Sequence, residues 1–327
     1  MIPPLGVTAL EHIGSIWYMP IIQNPVALIT SDNSMKSFIQ FLAFICLLAM
    51  QLLLVNPIFG RDIHPAVSRL VERLRMDGLD EGYLRDLFSR PELKLMPRAI
   101  AKSLARKQAS LNYAQFLEKY SVDRTIAYLK THRKSLKKME RHFGISAPVV
   151  VAILSVETSC GRYMGKFETV NILVTQALSL EPEIYPRIYA HIHTNEKSNL
   201  TPQRVRKRLE EKSVRAYAEL KALLTYFKNQ GMDPLLVKGS IEGAIGLPQF
   251  LPSNIKRYGF DGNGDGKIDL FQHEDAITSV ASFLQAHKWR EADTYGQKRK
   301  IIRSYNRSNY YVDTVLALAA LLANHWP

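Results

Sequence analysis

The chain has 327 residues, of which 46% are hydrophobic and 22% charged, so its composition is that of an ordinary globular protein and excludes little. Its formal net charge of +13 favours anionic partners, which include nucleic acid, acidic lipid and carboxylate-rich cell-wall polymer. The alternative is a solvated surface of scattered Lys and Arg side chains.

The first 60 residues have the pattern of an export leader. An uncharged apolar run at residues 38–55 is just long enough to span a bilayer. Met35 has the features of a true start, so residues 1–34 are predicted to be an upstream extension. No clear cleavage site follows at residues 58–60, which leaves both a removed signal peptide and a retained membrane anchor open. Either one predicts a protein of the periplasm or cell envelope and makes nucleic acid the least favoured partner.

The next part of the chain is predicted to be helical. Apolar residues recur at helical spacing from Arg61 to Gly144, which indicates an N-terminal helical domain over residues 61–145. One of its helices has an apolar stripe and an opposite basic face. The basic residues are Arg124, Lys130, Arg133, Lys134, Lys137, Lys138 and Arg141. This face suits an anionic surface or polymer, although a solvated face is the default interpretation.

Residues 148–165 hold the most informative stretch, in which Glu157 ends an almost unbroken apolar run. Ser146 can cap a helix with Pro148 in its first turn, and apolar residues on all faces predict burial. Burial raises the pKa of a carboxyl group, which suits a general acid. The alternative is a Glu at a helix end that pairs with a Lys or Arg. This stretch by itself leaves both interpretations open.

Residues 166–199 show no clear period and are predicted to be irregular, with short strands or loops. His191 and His193 alternate, a spacing that can place two metal ligands on one face of a strand. No carboxylate or Cys follows at a metal-site spacing, so two surface histidines are favoured. Thr201 then predicts the start of a long helix that ends near Gly231.

A segment rich in Gly and Pro follows at residues 238–253. Such a segment lets the backbone approach a ligand closely, and Gln249 can both donate and accept hydrogen bonds. It lacks the G-K-[ST] ending of a phosphate-binding loop. Most loops of this composition are simple turns, so the signal is weak without further context.

The acidic segment at residues 261–275 has the spacing of an EF-hand loop. Oxygen ligands at positions 1, 3, 5 and 7 would come from Asp261, Asn263, Asp265 and the carbonyl of Lys267. Gly266 supplies the sharp turn, but Gln272 replaces the usual Glu at position 12. The pattern predicts a calcium site whose last carboxylate comes from elsewhere, and the alternative is an Asp/Gly-rich turn without metal.

Taken together, these segments resemble the lytic murein transglycosylases of the membrane-bound B type, a family with a lysozyme-like catalytic core. The resemblance covers most of residues 61–327 and rests on four motifs in the family's order. They are VETSCG at 156–161, DPLLVKGSIEGAIGLPQFLPS at 233–253, the acidic loop leading into DAITSVASFLQAHKW at 261–289, and SYNRSNYYVDTVLALA at 304–319.

The resemblance implies a mainly α fold with a small β component (α+β). A leader at residues 1–60 and the helical domain at 61–145 would precede a lysozyme-like core at 146–327. The core would hold a small irregular or β insertion at about 166–230 and the EF-hand-like loop at 261–275.

The resemblance also implies a chemistry. Glu157 would protonate the β-1,4 glycosidic oxygen between N-acetylmuramic acid and N-acetylglucosamine of peptidoglycan. As a carboxylate it would then act as base on the muramyl C6 hydroxyl, which gives a 1,6-anhydro product without water. The residues that match the family's sugar cleft are Ser240, Gln249, Phe250, Tyr305, Asn306 and Tyr311. The closing calcium ligand would be Asp275, calcium would be structural, and no organic cofactor is expected.

Five positions depart from the family's usual residues, and they concern the fine specificity of the cleft. They are Ser159, Cys160, Asn171, Glu242 and Ile245. The sequence also leaves three rival functions open. One makes Cys160 a nucleophile, which needs a positioned His base, and a small buried Cys is favoured instead. The second is a noncatalytic calcium-dependent peptidoglycan-binding scaffold, and the third is a hydrolytic muramidase.

Overall fold

The structure, a computed structural model, describes residues 64–105, 112–193 and 200–327, with the side chain of His193 left out. The predicted leader, including the apolar run at 38–55, lies outside the described residues. The described residues belong to one compact unit, Gly60–Pro327, with a continuous apolar core. The predicted boundary between residues 145 and 146 stays a prediction.

Thirteen α-helices run through the described residues. They are α1 Pro65–Met76, α2 Glu81–Ser89, α3 Pro97–Ala105, α4 Lys119–Thr131, α5 Arg133–Phe143, α6 Ala147–Thr158, α7 Thr169–Ala177, α8 Tyr185–His193, α9 Pro202–Asn229, α10 Pro252–Tyr258, α11 His273–Ala286, α12 Tyr295–Tyr305 and α13 Asn309–Ala323. Single 3-10 turns occur at Tyr113–Phe116, Pro234–Leu236 and Trp289–Glu291.

Helix α6 lies in the middle of the core, where α4, α5, α11 and α13 pack against it. Each of its 12 residues is buried except Glu157. The predicted N-cap, Ser146, has the extended backbone of a cap but makes no side-chain cap hydrogen bond. The Glu140 carboxylate replaces it by accepting from the Ala147 N–H at 2.8 Å. This central helix therefore fixes the position of Glu157 through packing on every other face.

The small β component is a two-stranded sheet. Strands β1 Phe167–Glu168 and β2 Lys238–Gly239 pair antiparallel, with Phe167 opposite Gly239. A Cβ on Gly165 would lie 2.1 Å from the Gly239 carbonyl oxygen, and Gly165 has φ +98°, so glycine is required at this approach. The sheet joins the turn after α6 to the Gly/Pro-rich loop.

The prediction that residues 166–199 are irregular is wrong for most of that range. Helix α7 occupies Thr169–Ala177 and α8 occupies Tyr185–His193. Almost all of α7 is buried, including its polar Asn171 and Thr175, so the sequence shows no alternation between apolar and polar faces. A short, fully buried helix has no amphipathic period, which is why its sequence does not indicate a helix. The long helix predicted after Thr201 is confirmed as α9, a helix of 28 residues.

Among the described residues, no single helix has both the length and the apolarity of a membrane span. Helices α5 and α6 together pass by length and composition, but a bend of 119° separates them.

Candidate active site

Glu157 is the one residue of α6 with some access to solvent, at the C-terminal end of a buried helix. Burial raises the pKa of its carboxyl group to about 7, and a hydrogen bond from the Tyr311 hydroxyl lowers it by less. No Lys, Arg or His among the described residues forms an ion pair with Glu157, which disfavours the helix-end ion-pair interpretation. A carboxyl group with this pKa can hold a proton near neutral pH and also give it up.

Two tyrosines, Tyr305 and Tyr311, lie beside this carboxyl group, and a third, Tyr113, packs against Tyr311. The rings of Tyr305 and Tyr311 are nearly parallel, with centroids 6.3 Å apart. Tyr113 meets Tyr311 edge-on at 6.5 Å, and it lies in the 3-10 turn before α4. The charge of Glu157 raises the pKa of both Tyr305 and Tyr311, after the larger effect of burial. These rings form an aromatic wall beside the acid, the kind of surface on which a sugar ring packs.

The two predicted tyrosines differ in how their hydroxyl groups are used. Tyr305 Oη donates to the Pro248 carbonyl at 2.5 Å, which ties α12 to the Gly/Pro-rich loop. Tyr311 Oη is buried without a hydrogen bond of ordinary geometry among the described residues. It still lies close enough to Glu157 to lower the pKa of that carboxyl group. The buried Tyr311 hydroxyl is therefore assigned to the acid, and a contact of Tyr311 with sugar stays a prediction.

The Gly/Pro-rich loop contributes Gln249. This residue has φ +49°, a strained value for a side-chain-bearing residue. Its Nε2 donates to the carbonyls of Gly246 at 2.8 Å and Met164 at 3.2 Å. Both amide hydrogens are thus engaged, while its Oε1 accepts from no donor among the described residues. These two hydrogen bonds orient the side-chain amide so that its carbonyl oxygen is available to a sugar hydroxyl or amide.

Three other predicted cleft residues have structural contacts. The Ser240 Oγ accepts from the Ala244 N–H at 3.1 Å and so shapes the loop. The Asn306 Oδ1 accepts from the Ser308 N–H at 3.0 Å at the turn between α12 and α13. Phe250 is only 2% exposed and packs its ring 5.8 Å from that of Tyr305. Their contacts with sugar stay predictions, and the observed role of Phe250 is to support Tyr305.

Tyr113 is a residue of the site that the sequence does not reveal. It lies 44 positions before Glu157 in a short turn, and no apolar period or motif marks it. Only the packing of that turn against α13 brings its ring to Tyr311. The weak local signal is Asn112, whose Oδ1 caps the turn by accepting from the Ala114 N–H.

A strained turn follows Glu157. Ser159, Cys160 and Gly161 have φ values of +50°, +59° and +92°, three successive residues in the left-handed region. The Cys160 N–H donates to the Leu154 carbonyl at 3.0 Å, which closes the end of α6. Such strain is concentrated at functional sites. The Cys160 thiol itself is buried and its pKa is raised to about 12, which disfavours the rival function in which Cys160 is a nucleophile.

The acidic loop is tied together by its own carboxylates. Asp261 accepts from the Gly264 N–H at 2.6 Å and the Gly266 N–H at 2.8 Å. Asp275, which is fully buried on α11, accepts from the backbones of Gly262 at 2.9 Å and Asp269 at 2.7 Å. Burial raises the pKa of Asp275, and the nearby charge of Asp261 raises it further. Asp275 therefore ties the loop to the start of α11 through backbone hydrogen bonds, and its predicted role as the closing calcium ligand stays a prediction.

The donor set of this loop suits a hard cation. Asp261, Asp265 and Asp275 supply carboxylate oxygens, and Asn263 and the Lys267 carbonyl add neutral oxygens. Two like charges, Asp261 and Asp275, lie close enough to disfavour each other, a cost that a bound cation would remove. Across the described residues, however, no three His, Cys, Asp or Glu side chains converge into a metal-ligand group. The chemistry of the residues fits calcium, while the EF-hand geometry predicted for them is not shown.

The fold and the site define a mainly helical, lysozyme-like protein with one enclosed acid beside an aromatic wall. A family model described as the transglycosylase SLT domain matches residues 62–301. The chain belongs to this family.

Three known proteins illustrate the similarity. The membrane-bound lytic murein transglycosylase B of Escherichia coli is 27% identical over 242 residues, which cover 70% of this chain and 59% of the relative. The chain thus spans less than two thirds of that relative's length. The E. coli lytic transglycosylase SLT35, solved in complex with calcium, has a TM-score of 0.64 at 22% identity, covering 81% of this chain and 96% of that one. SltB3 of Pseudomonas aeruginosa, in complex with NAG-NAM-pentapeptide, has a TM-score of 0.61 at 18% identity, covering 81% and 80%.

Proposed function

We propose that this protein is a lytic transglycosylase that cleaves the β-1,4 bond between N-acetylmuramic acid and N-acetylglucosamine in peptidoglycan. Family membership supports the class of activity. The mechanism rests on the pKa of the Glu157 carboxyl group, which burial raises to about 7. No second carboxylate among the described residues contributes to this shift. One group that can be both acid and base is what a reaction without water requires.

The reaction proceeds in two proton transfers at Glu157. The protonated carboxyl group gives its proton to the glycosidic oxygen as the bond from that oxygen to the muramyl C1 breaks. The resulting carboxylate then takes the proton of the muramyl C6 hydroxyl, whose oxygen bonds to C1. The 1,6-anhydro ring forms, Glu157 is protonated again, and no water is consumed.

The aromatic wall and the loop have complementary roles in this proposal. Tyr305, which is partly exposed, packs against the sugar, and Tyr311 contributes from behind it by holding the Glu157 carboxyl group. Gln249 offers its amide oxygen to a hydroxyl or N-acetyl N–H of the next sugar. Enclosure by these side chains keeps water away from C1 while the C6 hydroxyl attacks.

A hydrolytic muramidase of the usual kind would need a second carboxylate to activate water. The candidate in the cleft loop is Glu242, but its carboxylate accepts from Ser103 on α3 and from Lys212 and Arg215 on α9. The Glu242 carboxylate is therefore paired with two cations and directed toward α3 and α9. A noncatalytic scaffold is disfavoured as well, because a wall-binding protein gains nothing from enclosing an unpaired carboxyl group.

We also propose calcium as a structural ion in the loop at residues 261–275. Asp261, Asn263, Asp265, the Lys267 carbonyl and Asp275 would hold it. The ion would supply positive charge that draws the loop to α11, and it takes no part in the proton transfers. The calcium in the related SLT35 structure supports this proposal.

The substrate implies a place in the cell envelope, with peptidoglycan strands as the partner. The NAG-NAM-pentapeptide complex of SltB3 supports this partner. The apolar run at residues 38–55 would direct the chain there as a signal peptide or an anchor.

The decisive experiment compares the wild type with Glu157→Gln on purified peptidoglycan, with Glu211→Gln as the matched control. Glu211 is an exposed carboxylate on α9. Mass spectrometry of the released muropeptides should show 1,6-anhydro ends from the wild type and the control, and none from Glu157→Gln. Equal release from all three proteins would remove Glu157 from the mechanism. Reducing ends that take up labelled oxygen from water would make the protein a hydrolase.

A further inference from the structure

Two arginines and two exposed tyrosines form a second polar surface beside the catalytic acid. We define this cationic lip as Tyr120, Arg124, Arg162 and Tyr163. Arg162 Nη1 donates to the Tyr120 hydroxyl at 3.4 Å, and the Arg162 guanidinium lies 5.9 Å from the Tyr163 ring centre. The Arg124 guanidinium lies 5.1 Å from the ring centre of Tyr120. The lip thus brings two cations together around aromatic rings.

The charge of the lip is not neutralised. Neither arginine forms an ion pair with a carboxylate among the described residues, and the nearby Asp123 is paired with Lys119 at 2.6 Å. The two arginines lower the pKa of the Tyr120 hydroxyl, Arg162 more than Arg124. Arg124 Nε is buried and has no hydrogen-bond partner in the part of the chain that the structure describes. Two guanidinium groups without a carboxylate partner are suited to an anionic ligand.

Both tyrosines expose their rings. Tyr120 and Tyr163 each have 69% of their surface accessible, although large aromatic side chains are usually covered in folded proteins. Rings flanking guanidinium groups add apolar contact to a charged site. This combination favours a ligand with both carboxylates and an apolar backbone, such as a peptide with acidic groups.

The lip lies next to the site of bond cleavage. The Tyr163 N–H donates to the carbonyl of Thr158, the neighbour of Glu157, at 3.0 Å. Met164, the next residue, accepts from Gln249 in the cleft loop at 3.2 Å. The backbone of Tyr163 and Met164 therefore connects the end of the Glu157 helix with the loop of Gln249 and places the lip at the border of the site.

We infer that the cationic lip binds the carboxylates of the peptide attached to the muramyl residue at the cleavage site, with Arg162 as a specificity-determining residue. This inference rests on the proposed function and adds the part of the substrate that sets preference. Glu157 cleaves the glycosidic bond, and the lip sets the preference between strands whose peptides differ in charge.

The test compares three forms of the same glycan strands: with intact peptides, with peptide carboxylates capped as methylamides, and with peptides removed by an amidase and the lactyl carboxylate freed by the amidase capped as a methylamide. The wild type should cleave the first form with a kcat/KM about fivefold higher than the second, a modest factor because the lip is exposed to solvent. Arg162→Gln should bring this ratio close to one without changing cleavage of the stripped strands. Arg162→Lys should keep part of the preference, because the charge remains. The ratio should also shrink as salt is raised.

Arg141→Gln is the matched control, because Arg141 is an exposed arginine of α5 near the opposite end of α6. It should leave the ratio unchanged. An equal loss of activity on all three substrates in Arg162→Gln, or an unchanged ratio, would overturn the inference while anhydro products still supported the proposed function. If the wild type released no anhydro products from any form, the proposed function would fail first.

Discussion

Glu157 combines two properties that rarely coincide in one side chain. Its helix is buried on every other face, which disfavours the charged form and raises the pKa from 4.5 to about 7. Its own surface retains some access to solvent, so a substrate can reach it. A general acid is most useful when its pKa lies near the working pH, since it can then be reprotonated in each cycle. Enclosure by α6 and the tyrosines therefore tunes Glu157 for its two proton transfers.

The same enclosure should make folding stability depend on pH. The folded state holds a proton on Glu157 that the unfolded chain has released between pH 4.5 and about 7. This stabilisation is complete below 4.5 and is lost as pH rises through about 7. The loss should reach roughly 2 to 3 kcal/mol, somewhat reduced by the partial solvent access. Urea denaturation across this range should show the loss in the wild type and in Glu211→Gln.

Glu157→Gln should remove that pH dependence, because the amide does not titrate. Above pH 7 the variant should be more stable than the wild type. A wild-type pH profile that Glu157→Gln does not change would mean that the carboxyl group is not enclosed in solution. This measurement needs no substrate and so tests the raised pKa independently of activity.

At the scale of elements, the site depends on two strained connections that meet. The turn at Ser159–Gly161 and the loop around Gln249 contain three of the four non-glycine residues with positive φ among the described residues. The Gly161 Cα approaches the Leu247 side chain so closely that an added Cβ would lie 3.2 Å from it. The fold must hold these connections in place from outside, and the β1–β2 pairing supplies part of that support.

Glu242, one of the positions that depart from the family's usual residues, supplies another part of that support. Its carboxylate accepts from Ser103, Lys212 and Arg215, so the loop is joined to both α3 and α9. Burial pushes the pKa of Glu242 upward, but Lys212 and its other partners bring it below the ordinary value. A partly buried carboxylate with two cations and a hydroxyl is a strong anchor.

A double-mutant cycle between Glu242→Gln and Lys212→Met should measure this anchor. Each single variant should lose about 1 to 3 kcal/mol of unfolding free energy, because the other charge is left unpaired. The double variant should lose less than the sum, with a coupling of at least about 1 kcal/mol. The exposed pair Arg85–Glu81, with side chains 75% and 57% accessible, is the matched control and should couple by about 0.5 kcal/mol or less.

The anchor should also affect substrate binding, because the same loop carries Ser240 and Gln249. Glu242→Gln should raise KM for glycan strands more than it lowers kcat, since Glu157 itself is not moved. Additive losses in the cycle, with no coupling beyond that of the exposed pair, would show that Glu242 does not anchor the loop.

The sequence predicted local features well and long-range contacts poorly. The helix of Glu157 and the long α9 each show their pattern within a single continuous segment of the sequence. Asn171 illustrates the opposite case: its side chain bonds to the backbones of Lys94 at 3.1 Å and Glu92 at 2.9 Å, nearly 80 positions away. Tyr113 and Glu242 likewise gain their roles from residues that only the tertiary fold brings near. Contacts between residues so far apart in the chain produce no periodicity or motif in the sequence that could predict them.

At the scale of the whole molecule, α5, α6 and α11 connect the acidic loop to the acid. Lys138 on α5 donates to the Gly262 carbonyl at 2.8 Å, and α11 begins beside the loop and packs against α6. Anything that stabilises the loop should therefore stabilise the core around Glu157. Because the loop and the core belong to one compact unit, this effect should appear in global unfolding rather than in a separate transition.

Calcium should accordingly raise the melting temperature of the whole protein. Binding to the folded state alone stabilises by about 2.7 kcal/mol at a hundredfold excess over Kd, which corresponds to roughly 5 to 10 °C for a chain of this size. Calorimetry with calcium, with magnesium at equal ionic strength and with chelator should show the rise with calcium. Asp265→Ala should abolish it without disturbing the core, because Asp265 is exposed, whereas the exposed Asp86→Asn should respond like the wild type. An identical melting temperature in calcium and in chelator would show that the loop binds no calcium. The loop would then be held only by the backbone hydrogen bonds to the Asp275 carboxylate.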